Sequence, residues 1–160
     1  MQKLIIKGKK TLSGSIKISG SKNATLPILA AAILTDKTLI LKNIPFVQDV
    51  YTMINLLKFI GLSVKVSKKK NTLNISNNKK LKTVAPYNLL KTMRAGVLVL
   101  GPLLAKYNKA KVSLPGGCAI GARPVDLHLF ALEKLGAKIK IKNGYIYASA
   151  KNGLKGAIIK

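Results

Sequence analysis

Hydrophobic and polar residues follow two spacings along this chain of 160 residues, one typical of strands and one typical of helices. Alternating apolar and polar positions predict strands at residues 3–6, 15–18, 38–41, 62–66, 72–75, 109–113, 137–141 and 145–148, and the start of another at 154. Apolar residues three and four positions apart predict helices at residues 24–34, 47–60, 88–104 and 124–135. Pro27 falls in the first turn of the first of these helices, where its missing N–H costs least. The chain is therefore predicted to have an α/β fold.

The order of the predicted elements repeats with a period near 75 residues. Gly61 and Gly136 lie 75 positions apart, and each ends a helix just before a predicted hairpin. Asp49 and Asp126 take similar places early in their helices. In the second hairpin the turn is Asn-Gly at 143–144, a strong hairpin signal because both turn positions need positive φ. The repeat predicts βαβαββ units at residues 21–78 and 79–150, with a third unit starting at 151–160.

Charge is the most unusual feature of the composition. The chain has 29 basic and 4 acidic residues, a net charge of +25, and such a field concentrates anionic ligands of any kind. The lysines are spread along the whole chain, and aromatic residues make up only 5%, whereas base readout depends on arginine and stacking depends on aromatic rings. A solvated lysine surface is therefore favoured over a nucleic-acid surface, and a non-catalytic polyanion-binding protein remains the alternative from another functional class.

Other classes are disfavoured by what the sequence lacks. No apolar run approaches the roughly 20 residues that span a bilayer, and lysines stand where a secretory signal would be apolar, so we expect a cytoplasmic protein without a membrane partner. Cys118 is the single cysteine and cannot form an internal disulfide. His128 is the single histidine and has no metal-ligand spacing around it, so no metal site is expected.

The segment 113–128 carries the most chemical information. Three of its glycines fall within residues 116–121, next to Cys118 and before Arg123 at the start of a predicted helix. Such a loop can bring its backbone close to a ligand, and a helix N-terminus attracts anions. Cys118 is either a functional thiol favoured as thiolate by its positive surroundings or a buried apolar residue.

Two other places could bind an anion. Lys22 and Asn23 lie in a loop of small residues that opens onto a helix, where Lys22 could meet a phosphate and Asn23 could cap the helix. Ordinary capping is the simpler interpretation of this loop. Arg94 is one of only two arginines, and its forked guanidinium suits phosphate or carboxylate, although an exposed helical arginine is usually solvated.

Taken together, residues 21–24, 92–95 and 115–128 closely resemble the UDP-N-acetylglucosamine 1-carboxyvinyltransferase family of enolpyruvyl transferases. The resemblance covers the whole chain but less than half of a family member. It implies an inside-out α/β fold with helices inside and sheets outside, in which residues 1–20 belong with a second domain and residues 21–160 form an incomplete domain. The related 3-phosphoshikimate 1-carboxyvinyltransferases are the alternative, and the cysteine-bearing loop argues against them.

The resemblance also implies a reaction and the residues that perform it. The enolpyruvyl group of phosphoenolpyruvate is added to the 3-hydroxyl of UDP-N-acetylglucosamine and phosphate is eliminated, which is the first committed step of peptidoglycan synthesis. By motif match, Cys118 would be the proton donor and the target of the epoxide antibiotic fosfomycin. The substrate-binding residues would be Lys22, Asn23, Arg94, Arg123, Pro124, Val125, Asp126 and Leu127.

The same resemblance implies limits on the activity of this chain. No metal or organic cofactor is implied. The family's general base is an aspartate that no residue of this sequence matches, so we expect the 160 residues to be inactive alone and to need a complementing fragment.

Overall fold

The computed structural model describes residues 3–9, 11–77, 79–116 and 125–159. Within these ranges the helices are α1 (Lys22–Ala31), α2 (Gln48–Ile60), α3 (Tyr87–Leu90), α4 (Leu100–Tyr107) and α5 (Asp126–Lys134), with 3-10 segments at Ala32–Leu34 and Arg94–Val99. The strands are β1 (Leu39–Leu41), β2 (Ser63–Ser67), β3 (Thr72–Ser76), β4 (Val84–Ala85), β5 (Lys109–Ser113), β6 (Lys138–Lys142) and β7 (Tyr145–Ser149).

The strands form two sheets, and three strands of the second sheet, β5-β7-β6, have the same order as the first sheet. The first sheet is β1-β3-β2 and is antiparallel throughout, and the second is β4-β5-β7-β6, in which β4 runs parallel to β5 and the other pairs are antiparallel. In each sheet a helix joins the first antiparallel strand to the hairpin and is followed by a glycine of positive φ. Gly61 (125°) comes directly after α2, and Gly136 (94°) comes two residues after α5. Asn143 and Gly144 both have positive φ, at 50° and 73°. The predicted Asn-Gly hairpin is therefore confirmed, and the division of the chain into units at residues 21–78, 79–150 and 151–160 stays a prediction.

The core lies between helices and the inner faces of the sheets. Helix α2 buries six side chains, and it packs against α1, β2 and β4, while α4 packs against β5 and β7. Side chains on the outer faces of the sheets are exposed to solvent, such as Ile40 in the first sheet and Tyr147 in the second. The predicted α/β fold with helices inside and sheets outside is confirmed.

Three predicted strands are wrong as local structure. Residues 3–6, 15–18 and 154–159 have no strand geometry, although their apolar residues alternate as expected. Most of their large apolar side chains are exposed, including Leu4 at 85% and Ile16 at 89%, whereas Leu154 is partly buried against the core. A strand is stable only when its backbone groups pair with a neighbour, and these segments form no ladder with any strand of the described ranges. The assignment of residues 1–20 to a second domain stays a prediction.

All four predicted helices have different limits in the structure, and the differences that change the interpretation are in the first and the third. The first begins at Lys22 rather than at residue 24, so Pro27 is the sixth helical residue and not a first-turn residue. The predicted helix 88–104 is divided into α3, a 3-10 segment and α4, because Met93 is extended (φ −137°, ψ 102°). The tight packing that accompanies this break involves Gly96, where a Cβ would lie 2.7 Å from Leu90 Cγ.

Candidate functional site

The N-termini of α1 and α2 are joined by an ion pair. Lys22 Nζ lies 2.8 Å from Asp49 Oδ2, with the side chains 48% and 35% exposed. Lys22 is the first residue of α1, and Asp49 is the second residue of α2. A carboxylate is favourable at a helix N-terminus, whereas an ammonium is unfavourable there. Lys22 therefore occupies a position that costs stability on its own, and a neighbouring anion offsets that cost.

Ser21, and not Asn23, caps α1. The Ala24 N–H donates to Ser21 Oγ at 3.3 Å, and the Thr25 hydroxyl donates to the Ser21 carbonyl at 2.8 Å. The expectation that Asn23 caps the helix is wrong, because Asn23 is already the second helical residue. Its exposed amide is therefore available to a ligand at the same end of the helix as Lys22.

The turn before α1 is held by a close backbone approach. A Cβ on Gly20 would overlap the Asn43 carbonyl oxygen and would lie 2.9 Å from Pro45 Cδ. A cavity of about 410 Å³ lies beside this contact, lined by residues that include Ser21 and Lys42. The glycine thus fixes the position from which the lysine-bearing helix starts.

The glycine-rich loop begins beside the segment that carries Arg94, through a contact of Gly116 with Lys91. Arg94 is half-buried and is the first residue of the 3-10 segment that packs against α1 and β5. A Cβ on Gly116 would overlap the Lys91 carbonyl oxygen and would lie 3.1 Å from Lys91 Cα. The start of the loop is therefore packed on the backbone three residues before Arg94.

We expect Gly116→Ala to displace this loop and to destabilise the chain by about 1–3 kcal/mol, because the added methyl meets backbone that cannot rotate away. Thermal unfolding followed by circular dichroism measures the change. Gly144→Ser is the comparison for the loss of a glycine without a steric clash, since nothing lies within 4 Å of its Cβ position and only its positive φ is strained. Equal stability of Gly116→Ala and the unmodified chain would contradict the contact.

Of the predicted sugar-site residues near the start of α5, the structure describes only Val125, Asp126 and Leu127. Val125 is half-buried and packs against the core, and Asp126 and Leu127 are exposed, Leu127 at 75%. Cys118, Arg123 and Pro124 lie outside the described residues. The predicted meeting of Cys118, Arg123 and Lys22 at one pocket therefore stays a prediction.

Sequence reasoning missed the role of Asp49 as the partner of Lys22. The repeat placed Asp49 and Asp126 at equivalent positions, but it did not relate either aspartate to a cation.

Across the described ranges, His, Cys, Asp and Glu side chains form no group of three that could hold a metal ion. No helix in those ranges is long and apolar enough to cross a membrane.

A sequence model described as EPSP synthase (3-phosphoshikimate 1-carboxyvinyltransferase) matches residues 6–160. The chain belongs to this family. Solved structures share the fold: the enolpyruvyl transferase NikO from Streptomyces tendae superposes with a TM-score of 0.75 at 17% identity, over 90% of this chain and 31% of that one. An EPSP synthase from Acinetobacter baumannii gives a TM-score of 0.66 at 17% identity, over 89% of this chain and 33% of that one.

Curated relatives within the family are more similar in sequence. A UDP-N-acetylglucosamine 1-carboxyvinyltransferase from Pelagibacter ubique is 61% identical over the full chain, and one from Endomicrobium trichonymphae is 54% identical over 99% of it. The predicted resemblance to these enzymes is confirmed. The chain spans 38% of the length of each of the two relatives.

Proposed function

We propose that this chain forms part of a cytoplasmic enzyme that transfers the enolpyruvyl group of phosphoenolpyruvate to the 3-hydroxyl of UDP-N-acetylglucosamine in peptidoglycan synthesis. The observation that carries the proposal is the placement of Lys22 and the Asn23 amide at the N-terminus of α1, beside the N-terminus of α2. Two helix N-termini and an ammonium favour a small, highly charged anion. The relatives named for this reaction, at 54–61% identity, support the choice of substrates.

In the proposed reaction Lys22 and Asn23 hold the phosphate and carboxylate of phosphoenolpyruvate. Cys118 gives a proton to C3, the sugar 3-hydroxyl loses its proton and attacks C2, and a tetrahedral ketal forms. Loss of a proton from C3 then expels phosphate and restores the double bond. Lysine and arginine stabilise the charge on the departing phosphate, which is the kind of electrostatic contribution that often dominates catalysis.

The remaining predicted residues would act on the sugar nucleotide. Arg123, Pro124, Val125, Asp126 and Leu127 are proposed to line its site, and Arg94 is proposed to add positive charge. Asp49 is proposed to hold Lys22 in place until the substrate anion arrives. The general base is proposed to come from a part of the enzyme that this chain does not match, supplied by a complementing fragment.

The test is a phosphate-release assay on a hybrid in which this chain replaces the matching part of the Pelagibacter ubique relative. We expect release that depends on both substrates, and Cys118→Ser should lower the rate by at least about 100-fold, the usual contribution of a positioned acid. We expect no multiple turnovers from the 160 residues alone. An unaffected Cys118→Ser hybrid would refute the role of the thiol, and turnover by the isolated chain would refute the need for a second fragment.

The description of the matching family favours one further candidate acceptor. Because the family model is described as 3-phosphoshikimate 1-carboxyvinyltransferase, the same hybrid should be assayed with shikimate 3-phosphate in place of the sugar nucleotide. We expect no phosphate release with this acceptor. Release with shikimate 3-phosphate alone would reassign the substrate within the same reaction type.

A further inference from the structure

The outer face of the second sheet gathers lysines around a shallow groove. Register places Lys111 and Lys140 on either side of Tyr147, and Lys109 and Lys138 on either side of Ser149. All six residues line one cavity of about 510 Å³. The four lysines thus stand at the corners of a rectangle roughly 7 Å along the strands and roughly 10 Å across them, from the usual strand spacings.

This lysine groove continues past the end of the sheet. A neighbouring cavity of about 440 Å³ shares Lys138 and Ser149 with the first and adds Lys151 and Lys155. Both volumes are within the range of roughly 300–1,000 Å³ typical of small-molecule sites. The continuous basic lining fits an elongated anion better than a single small one.

No acidic residue lines either cavity of the lysine groove. The chain has four acidic residues, of which Asp36 pairs with Lys106 and Asp49 pairs with Lys22, while the other two lie on α5. Like charges gathered on one sheet face repel one another, so their assembly costs stability until an anion binds. A bound anion would reduce the repulsion among the lysines, and it would also be attracted to them directly.

The aromatic residues of this face distinguish between kinds of anion. Lys111 Nζ lies 4.6 Å from the ring centre of Tyr145 and 5.2 Å from that of Tyr147. Rings that already hold an ammonium offer a poor platform for stacked bases, on which single-stranded nucleic-acid binding depends. Lysine is in contrast a common phosphate-binding residue because it presents a compact point charge.

We propose that the lysine groove on the β5-β7-β6 face is a binding site for a linear oligophosphate, a run of three or more linked phosphate groups. Such a group occurs as inorganic oligophosphate and as the triphosphate of a nucleotide. None of the groove residues belongs to the candidate site at α1 and α2, so this proposal does not depend on the proposed enzymatic function.

The test is calorimetric titration of the chain with inorganic tripolyphosphate and with ATP. The double variant Lys109→Gln/Lys140→Gln removes two diagonal corners of the groove, and Lys69→Gln/Lys79→Gln removes the same charge from exposed loop positions outside it. We expect at least about tenfold weaker binding by the groove variant and less than about twofold change in the control, with affinity falling as salt rises. Unchanged circular dichroism shows that both variants fold.

Several outcomes separate this site from diffuse attraction. Equal affinity for tripolyphosphate and ATP identifies the phosphate chain as the ligand, and tighter binding of ATP identifies a nucleotide; either supports the site. Equal weakening in both variants, or no binding by either compound, overturns it. Binding of an oligodeoxythymidylate alone, without binding of tripolyphosphate or ATP, also overturns it and assigns the face to nucleic acid.

Discussion

We expect Gly20→Ala to destabilise the chain by about 2–3 kcal/mol, the upper part of the range for forced overpacking. The added methyl would overlap the Asn43 carbonyl oxygen and press on Pro45 Cδ at 2.9 Å. Neither group is the end of a flexible side chain, so the turn before α1 must move away from residues 43–45. For a domain of this size the loss corresponds to a fall of roughly 5–10 °C in the melting temperature. Thermal unfolding measured by circular dichroism checks it.

Gly101→Ala is the matched control for that result. Gly101 lies inside α4, and nothing lies within 4 Å of its Cβ position. Alanine is a better helix former than glycine by up to about 1 kcal/mol, so we expect this variant to be slightly more stable than the unmodified chain. The same glycine-to-alanine change should thus lower the free energy of unfolding at Gly20 and raise it at Gly101. A stable Gly20→Ala would show that the close approach to Asn43 does not constrain the turn.

Local signals in the sequence predicted strand β5 and the final hairpin of the second sheet. Strand β5 has the predicted limits, and the hairpin turn at Asn143 and Gly144 has the predicted positive φ, because these features depend on residues close together in the chain. The division of helix 88–104 was not predictable from its apolar spacing. It accompanies an extended Met93 and close packing of Gly96 against Leu90, which only the folded arrangement specifies.

Residues 15–18 show that alternation of apolar and polar residues does not by itself predict a strand. Residues 15–18 alternate as well as many strands do, yet Ile16 and Ile18 remain 89% and 81% exposed. Alternation reports that a segment is suited to a sheet, whereas strand formation requires a partner with unpaired backbone groups. Strand β4 is only two residues long, yet it is formed because it pairs with β5.

The sequence pattern predicted Lys22 and Asn23 as candidate site residues, but it did not predict the ion pair between Lys22 and Asp49. Lys22 and Asn23 could be selected because a lysine beside a helix start is suited to phosphate. Asp49 is 27 positions away, and its contact with Lys22 follows from how α1 and α2 pack. Sequence spacing alone therefore could not show that the lysine already holds a carboxylate.

Lys22→Gln should lower kcat/KM of the hybrid enzyme by about 100- to 1,000-fold, a loss of the size seen when one electrostatic contact to the transition state is removed. Glutamine is one atom shorter than lysine and keeps a hydrogen-bond donor, but it removes the charge that would hold the substrate phosphate. Stability should change by less than about 1 kcal/mol, because the Lys22–Asp49 pair is substantially exposed to solvent. Phosphate-release kinetics and thermal unfolding of the same preparation separate the two effects.

Two further variants decide whether Lys22 acts on substrate or only on Asp49. Lys37→Gln makes the same change at an exposed lysine between α1 and β1 and should leave kcat/KM within about twofold, since a lone distant surface charge is largely screened. Asp49→Asn breaks the ion pair but keeps the ammonium at the N-terminus of α1. If Lys22 binds the substrate, Asp49→Asn retains most of the activity that Lys22→Gln loses. If the pair serves only to hold α1 against α2, both variants lose activity equally, because each removes the same contact.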